Sequence, residues 1–298
     1  MKPSEPLSPY LIDLPQQIPG WEHFIGAWVI QEDPVIIVDV GPVASIQSLF
    51  TCLEQKGITR VDYVWLTHIH IDHAGGLGPF LQKFPMARAV VPAKGRPHLI
   101  DPAKLWEGSL ATLREKAVAY GPIESSDPAR LISNQDFSLE GLTILETPGH
   151  APFHLSFSYR DHLFCGESAG IYIEQEGEIY LRPPTPPRFF FDQTMGSVEK
   201  MLELKDQPIF FGHAGSHPSS HEILNLYRSQ LFLWREVIGE VMAENPEDFT
   251  ARAMEVLLEK DPRLAAFHRM NPSARDRERF FMANSIAGFL GYLKDFSK

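Results

Sequence analysis

Short apolar runs alternate with amphipathic stretches from the N-terminus to about residue 215. Mainly apolar runs with the length of a strand predict eight β-strands, at residues 24–30, 35–40, 61–66, 89–91, 142–146, 154–159, 163–165 and 209–211. Apolar positions three and four residues apart predict helices between them, at residues 44–55, 76–84, 102–120 and 193–204, with Asp101 as the N-cap of the third. This alternation indicates an α/β fold.

Beyond residue 216 the pattern changes to helical periodicity alone. Ser219 and Glu222 have the spacing of a capping box. The apolar residues that follow at steps of three and four predict one long helix: Leu224, Tyr227, Leu231, Trp234, Ile238 and Met242. Capping residues paired with prolines at 245–246, 261–262 and 271–272 predict helix boundaries. We therefore expect a domain over residues 1–216 followed by an all-helical extension of about four helices over residues 217–298.

Composition narrows the class of protein. The chain has 298 residues with 27 basic and 38 acidic side chains, for a formal net charge of −11. This acidic balance argues against the phosphate attraction on which nucleic-acid binding depends. Prolines interrupt the N-terminus where a signal peptide would have an apolar core, and no apolar run reaches the ~18 residues of a membrane span. The two cysteines, Cys52 and Cys165, indicate neither a disulfide framework nor a thiolate metal site, so we expect a cytoplasmic protein.

Residues 67–76 read Thr-His-Ile-His-Ile-Asp-His-Ala-Gly-Gly and combine metal-binding side chains at close spacing. His68 and His70 are two residues apart, so in an extended segment both imidazoles point to the same side and can share a cation. Asp72 and His73 follow where the chain must turn and can serve a second cation. The glycines after them allow another backbone segment to pass close by. Nitrogen and carboxylate donors suit zinc, iron or manganese.

Two further histidines follow predicted strands. His150 ends the segment Thr-Pro-Gly-His after the strand at 142–146, and His213 lies between glycines in Phe-Gly-His-Ala-Gly after the strand at 209–211. Either residue alone is more typical of a structural histidine. Together with the first motif they favour ligation, with His150 as a third nitrogen for the first cation and His213 completing the second site.

The order His-x-His-x-Asp-His, Thr-Pro-Gly-His and a late Gly-His resembles the metallo-β-lactamase superfamily, in particular its thioesterase- and lactonase-like branch exemplified by glyoxalase II. The resemblance covers about residues 20–215. It implies a four-layer αββα sandwich with the metals at one edge. It assigns the ligands as follows: His68, His70 and His150 to one metal, and Asp72, His73 and His213 to the other. Asp39 matches an early strand-end aspartate that usually supports the ligands, although it also has the character of a polar residue that ends a strand.

Glu167 departs from the pattern of the family. Dinuclear members have a bridging aspartate in a Cys/Ser-Gly-Asp element, and this chain has Phe-Cys-Gly-Glu at residues 164–167. A glutamate keeps the charge and can bridge two metals, but the surroundings must absorb its extra methylene. The metal separation and the occupancy of the second site are therefore left open.

Other candidate residues have two interpretations each. His154 resembles a residue that orients a ligand, or it starts a strand. The segment Arg188-Phe189-Phe190-Phe191 forms an apolar wall beside the metals or belongs to the core, and the helical tail covers the site or packs on the flank of the sandwich. Six histidines lack a comparable context and are expected to be structural or at the surface: His23, His98, His162, His217, His221 and His268.

These observations predict a metal-dependent hydrolase. We expect two divalent ions, zinc first with iron or manganese as alternatives, a metal-bridging hydroxide as nucleophile, and Asp72 as the residue that orients it. Gly-x-Ser-x-Gly is absent, and Cys165 has no evident activating base. The expected substrate is a small molecule, an ester, a lactone or a hydrophobic acyl thioester, with neither nucleic acid nor membrane as partner; the oligomeric state is open.

Three alternatives remain from the sequence. One is a mononuclear or dinuclear iron redox enzyme that resembles the persulfide dioxygenases of the superfamily. Another is a non-catalytic metal-binding regulatory protein, for which Glu167 is the only hint. The third is a phosphodiesterase or nuclease, which the negative charge disfavours.

Overall fold

The computed structural model describes residues 8–175, 177–187, 189–213 and 215–296. Arg188 of the aromatic segment, Ala214 of the late Gly-His motif and the N-terminal residues 1–7 lie outside the described residues. The strands are β1 (Tyr10–Asp13), β2 (Gly26–Gln31), β3 (Val35–Val38), β4 (Tyr63–Trp65), β5 (Arg88–Val91), β6 (Leu131–Ser133), β7 (Leu142–Glu146), β8 (Leu155–Tyr159), β9 (His162–Gly166), β10 (Ile171–Gln175), β11 (Glu178–Arg182), β12 (Ile209–Phe211) and β13 (Ser216–His217).

The helices surround these strands in chain order. They are α1 (Ile46–Gln55), α2 (Ile71–Ala74), α3 (Leu77–Lys83), α4 (Arg96–Ile100), α5 (Ala103–Leu113), α6 (Glu115–Tyr120), α7 (Phe191–Leu202), α8 (Ser220–Glu244), α9 (Phe249–Lys260) and α10 (Pro272–Phe296). Short 3-10 helices occupy Val43–Ser45, Pro128–Arg130 and Pro262–Arg269.

Two sheets and one hairpin organise the strands. The six-stranded sheet has the order β1-β2-β3-β4-β5-β6, antiparallel as far as β3 and parallel from β3 to β6. The five-stranded sheet has the order β13-β12-β9-β8-β7, and β10 pairs with β11 as a separate antiparallel hairpin. Within the first unit, Trp65 of β4 stacks on Phe157 of β8 with 5.1 Å between ring centroids, so β8 packs on the six-stranded sheet through an aromatic contact.

The chain divides into two compact units. The first contains the described residues up to Ile144 together with Phe157–Phe164, and the second contains Leu145–Ser156 and the described residues from Cys165 onwards. The α/β fold with an all-helical C-terminal region, as predicted, is confirmed. The division into domains at residues 216 and 217 stays a prediction.

Helix α8 begins and ends where its capping residues predict. The Ser219 side chain accepts a hydrogen bond from the backbone N–H of Glu222 at 3.1 Å, and Asn245 ends α8 in the left-handed conformation. Asp248 caps α9, and Asp261 caps the 3-10 helix that follows. The predicted group of four helices therefore forms as α8, α9, this 3-10 helix and α10. Among the helices that the described residues form, none is long and apolar enough to cross a bilayer.

One predicted helix is wrong in its extent. Residues 102–120 form two helices, because Arg114 adopts a positive φ of 55° between α5 and α6. Nothing in the local sequence breaks the helix, so tertiary packing must override propensity here. Tyr120 of α6 is buried and its hydroxyl accepts a hydrogen bond from Trp21 Nε1 at 2.7 Å. The change of direction at Arg114 lets α6 bury this residue, whereas α5 buries none of its own.

The strand predictions are correct in position and incomplete in number. β7 and β12 have the predicted bounds, and the other predicted strands differ at one or both ends by one or two residues. Prediction missed β1, β6, β13 and the hairpin β10–β11. Gly177, with a φ of +81° between the two strands of that hairpin, is the turn signal that could have revealed it.

Candidate metal centre

The first ligand cluster lies on an irregular segment after β4. The chain has no regular secondary structure from Leu66 to His70, where the backbone of His70 is extended, and then makes the single helical turn α2, which contains Asp72 and His73. A Cβ atom on Gly75 would lie 3.2 Å from the backbone of Pro42, so this turn packs directly against another chain segment, as the glycines predict.

His68 and His70 present two nitrogens to each other. Nε2 of His68 lies 3.0 Å from Nδ1 of His70. The Thr67 hydroxyl donates to the carboxylate of Asp39 at 2.8 Å, so its oxygen accepts from Nδ1–H of His68 at 3.0 Å. This arrangement fixes the tautomer of His68 and leaves the lone pair on Nε2, the atom that faces His70.

His73 is held by the same carboxylate. Its Nδ1–H donates to Asp39 Oδ2 at 2.9 Å, and Asp39 Oδ1 accepts from the backbone N–H of Thr67 at 2.8 Å. Asp39 is buried and has a φ of +58°, a conformation that non-glycine residues seldom adopt. Asp72 Oδ2 lies 3.9 Å from His73 Nε2, and the Asp72 side chain is the more exposed of the two, at 15%. The strand-end Asp39 therefore supports the ligand cluster and does not merely end a strand.

The second ligand cluster centres on Glu167, directly after β9. Glu167 Oε2 lies 2.8 Å from Nε2 of His150, and Glu167 Oε1 lies 3.4 Å from Nε2 of His213. All three side chains are largely or fully buried. Burial by itself would raise the pKa of Glu167, but the charges and hydrogen bonds of His150 and His213 outweigh it and hold that pKa well below its usual range.

His150 is oriented by a proline-rich loop. Its Nδ1–H donates to the carbonyl oxygen of Pro184 at 2.7 Å, which fixes the ring with Nε2 directed at Glu167. On the other side, the Ser197 hydroxyl of α7 donates to the carbonyl of Pro148 at 2.6 Å. The Thr-Pro-Gly-His segment is thus held from two directions.

His154 orients the peptide of Glu167. The backbone N–H of Glu167 donates to Nε2 of His154 at 3.1 Å, so Nδ1 carries the proton and donates to Thr147 Oγ1 at 2.9 Å. The Thr147 hydroxyl continues to Ser156 and then to Ser168, each step 2.9 Å long and buried. Of the two interpretations from the sequence, the orienting role is the one that fits, because β8 begins one residue later.

The other candidate residues have structural roles. Burial raises the pKa of the Cys165 thiol, which donates to the carbonyl of Phe210 at 3.3 Å. Phe189 and Phe191 are buried and pack on aromatic residues of α8 and α10, whereas Phe190 is 54% exposed. Core packing therefore explains the outer two phenylalanines of the segment.

Prediction missed Thr67 and Pro184, because neither residue type signals metal chemistry by itself.

The donor sets fit a divalent metal. His68, His73 and His150 each use Nδ1–H on an oxygen acceptor, which is the arrangement that commonly prepares the other nitrogen of a histidine for a metal ion. Within the first unit, His68 and His70 offer ligand atoms within 4.8 Å of each other, and so do Asp72 and His73. Within the second unit, the same holds for His150 and Glu167. Nitrogen and carboxylate oxygen match the preferences of zinc, iron and manganese.

Comparison with known proteins places this geometry in a family. A metallo-β-lactamase fold-containing protein of Sulfurisphaera tokodaii is 33% identical over 193 residues, which are 62% of this chain and 70% of that protein. The crystal structure of an archaeal metallo-β-lactamase superfamily protein from Sulfolobus tokodaii aligns with a TM-score of 0.68 and 24% identity, covering 94% of this chain and 98% of that one. This second likeness concerns the fold alone.

More distant relatives are named as enzymes. Hydroxyacylglutathione hydrolase 1 of Vibrio vulnificus is 26% identical over 141 residues, so the match spans 47% of this chain and 45% of that enzyme. The sequence model of the metallo-β-lactamase superfamily matches residues 22–213, the part of the chain that contains every ligand candidate. The chain therefore belongs to the metallo-β-lactamase superfamily.

Proposed function

We propose that the protein is a metal-dependent hydrolase whose two ligand clusters together hold two divalent ions. From the ligand pattern of the family, one ion is assigned to His68, His70 and His150 and the other to Asp72, His73 and His213, with Glu167 as the residue shared between them. The observation that carries the proposal is the position of Glu167 between two histidines. Its two carboxylate oxygens face His150 and His213 separately, so this one carboxylate could serve both ligand sets.

Glutamate suits this bridging position because of its surroundings. His154 holds the Glu167 peptide through its N–H, and the buried hydroxyl chain from Thr147 holds His154 in turn. The longer side chain is therefore anchored at its backbone, and its carboxylate reaches both histidines. An aspartate placed here by Glu167→Asp is about 1.5 Å shorter and would lose one of the two contacts.

The chemistry follows from the donor sets. Bound divalent ions lower the pKa of a coordinated water towards ~7 and polarise the carbonyl of a substrate. The residues of the chain would position the reactants: Asp72, which is more exposed than His73, would orient the attacking water and accept its proton. Asp39, Thr67 and Pro184 keep the histidine tautomers that leave the lone pairs on Nε2.

The substrate class that we propose is an ester, a lactone or an acyl thioester. The relatives named hydroxyacylglutathione hydrolase support a carbonyl substrate of the thioester type, and the net charge of −11 disfavours nucleic acid. Zinc is the metal that we expect first, with iron or manganese as alternatives. Both cysteines are free thiols, which suits the cytoplasm.

The test combines elemental analysis with a panel of substrates. Purified protein is loaded with zinc, iron or manganese and assayed with an S-acyl glutathione thioester, an aliphatic lactone and a phosphodiester. We expect hydrolysis of a thioester or lactone, and loss of metal together with at least a ~100-fold fall in turnover for His70→Ala and Asp72→Ala. His268→Ala, at an exposed site of the extension, is the matched control and should behave as the wild type. Unchanged turnover in His70→Ala, or oxygen uptake with iron in place of hydrolysis, would overturn the proposal.

A further inference from the structure

The loop between β11 and α7 contributes one atom to the metal centre. Pro184 accepts the Nδ1–H of His150 at 2.7 Å and so fixes the ring of a proposed metal ligand. Four of the five residues at 183–187 are prolines, which lack the N–H donors that would let the loop hold itself in place. The position of the Pro184 carbonyl must therefore be set by contacts from outside the loop.

Those contacts come from α10, at the far end of the chain. The Ser285 hydroxyl donates to the carbonyl of Pro183 at 2.6 Å, and the Thr185 hydroxyl donates to the carbonyl of Ser285 at 2.9 Å. The backbone N–H of Thr185 donates to Ser285 Oγ at 3.4 Å. Ser285 and Thr185 are both buried, so these hydrogen bonds are shielded from water on either side of Pro184.

Glycines on the same face of α10 let the loop lie close to the helix. A Cβ atom on Gly288 would lie 2.3 Å from the carbonyl oxygen of Pro186 and 3.0 Å from Oγ1 of Thr185. One turn further on, a Cβ on Gly291 would lie 3.2 Å from the carbonyl of Pro187. A methyl group at Gly288 must therefore move the loop, and one at Gly291 must move it less.

We infer that α10 positions His150 for metal binding, with Ser285, Thr185 and Gly288 acting through the Pro184 carbonyl. These are positioning residues, since none of them donates a ligand. The inference rests on the proposed function, because it takes His150 as a ligand. Loss of an outer partner of a metal-bound histidine lowers metal affinity about 10- to 100-fold, so displacement of the Pro184 carbonyl should weaken the ion held by His150 by a similar factor.

A series of glycine-to-alanine variants tests this inference. Gly288→Ala displaces the loop and Gly291→Ala displaces it less, whereas a Cβ on Gly239 of α8 would meet only Leu293 Cδ1, at an ordinary 3.9 Å. Zinc affinity is measured by chelator competition, and the coordination of cobalt(II) by its visible absorption. We expect about a 10-fold loss of affinity for one ion and an altered cobalt spectrum in Gly288→Ala, a smaller change in Gly291→Ala and none in Gly239→Ala.

A second pair of variants covers the outcome in which Gly288→Ala does not fold. Thr185→Val keeps the shape of the side chain and removes its hydrogen bond to Ser285, and Thr185→Ser restores the hydroxyl. The melting temperature of the metal-free protein reports folding separately. Thr185→Val should lose affinity and alter the cobalt spectrum, and Thr185→Ser should recover both.

The outcomes separate the inference from the proposed function. A wild-type protein that binds neither zinc nor cobalt contradicts the proposed function, and the inference falls with it. A wild type that binds metal, with the same affinity and cobalt spectrum in folded Gly288→Ala and Thr185→Val, overturns the inference and leaves the proposed function standing.

Discussion

Among the described residues of the second unit, two glutamates are buried, and each carboxylate faces two basic side chains. Glu167 faces His150 and His213, and its two oxygens lie 2.8 and 3.4 Å from their Nε2 atoms. Glu278 of α10 faces Arg182 and Arg277, and its Oε1 accepts from Arg277 Nε at 2.8 Å. In both cases burial alone would raise the pKa of the carboxyl, and the basic partners hold it below its usual range.

The two glutamates differ in the chemistry of their basic partners, which are arginines at Glu278 and histidines at Glu167. Arginine keeps its charge at any ordinary pH and has no lone pair, so Glu278 is neutralised permanently and can only hold the fold together. Histidine, unlike arginine, can present a lone pair on a ring nitrogen, so the two imidazoles beside Glu167 could share a divalent cation with its carboxylate. The hydroxyl of Tyr180, which donates to Glu278 at 3.0 Å, completes the structural cluster.

The largest expected effect sharpens this contrast at Glu167. Glu167→Gln keeps the size of the side chain and removes its charge, so it should lower metal affinity and turnover at least ~100-fold. The melting temperature of the metal-free protein should change far less than in Glu278→Gln. Chelator competition measures the metal affinity of both variants, and thermal unfolding measures their stability without metal. If Glu278→Gln lost more metal affinity and Glu167→Gln lost more stability, the distinction between the two glutamates would be wrong.

Glu278→Gln should lower the stability of the protein and leave metal binding unchanged, the reverse of Glu167→Gln. Removal of one partner from a buried charge cluster leaves two arginines uncompensated and should lower the free energy of unfolding by about 3 kcal/mol at pH 7. Metal content per folded molecule should stay at the wild-type value. Urea unfolding and elemental analysis give the two quantities; a stability equal to the wild type would mean that this cluster is not paired in solution.

The difference in unfolding free energy between wild type and Glu278→Gln should depend on pH. The direction of this dependence follows from the lowered pKa of Glu278. Arg182 and Arg277 hold the pKa of Glu278 below its ordinary value of 4.5 against the opposing effect of burial. A carboxyl with a lowered pKa in the folded state stabilises the fold above its unfolded pKa, and this contribution is lost as the pH falls through the folded value. The stability gap between wild type and Glu278→Gln should therefore be constant above about pH 5 and shrink below about pH 4. A gap that widens in acid would contradict the assignment.

His154→Ala should have a smaller effect on the metal centre than Glu167→Gln. It removes the acceptor of the Glu167 N–H and leaves the bridging carboxylate itself in place. We expect about a 10-fold loss of metal affinity, measured by chelator competition, with part of it recovered in His154→Gln, which can still accept that hydrogen bond. His268→Ala serves as control, and equal affinity in wild type and His154→Ala would assign His154 to the fold alone.

The smallest expected effect lies in the structural cluster. Tyr180→Phe removes one buried hydrogen bond to Glu278 and should lower the free energy of unfolding by about 1 kcal/mol, with metal affinity unchanged. Urea unfolding measures the first quantity and a zinc titration the second. A change in zinc affinity in this variant would mean that the two glutamate clusters are coupled.

The same contrast explains what could be predicted from the sequence. The ligand candidates at 68–73 lie within six residues of the chain, and their spacing alone indicates metal chemistry. Glu167 is a ligand candidate only through the resemblance to the family, because an isolated glutamate after a strand does not by itself indicate metal binding. Glu278 and Arg182 are 96 residues apart, and no local pattern predicts their pairing.

Supporting contacts were the hardest part to predict. Pro184 acts through a backbone carbonyl, and Ser285 and Gly288 act on Pro184 through packing, so their residue types do not reveal the role. The break at Arg114 was likewise missed because burial of Tyr120 decides it, and burial depends on segments far away in the chain. Local spacing indicates the candidate ligands, and tertiary contacts determine how their side chains are held.

The central claim is that Glu167 joins two metal ions. The most direct measurement is the number of zinc ions per chain, determined by elemental analysis after zinc loading and gel filtration, in wild type and in Glu167→Gln. We predict two ions per wild-type chain and fewer than one in the variant. A wild type without zinc, or an unchanged number of ions in Glu167→Gln, would contradict the claim.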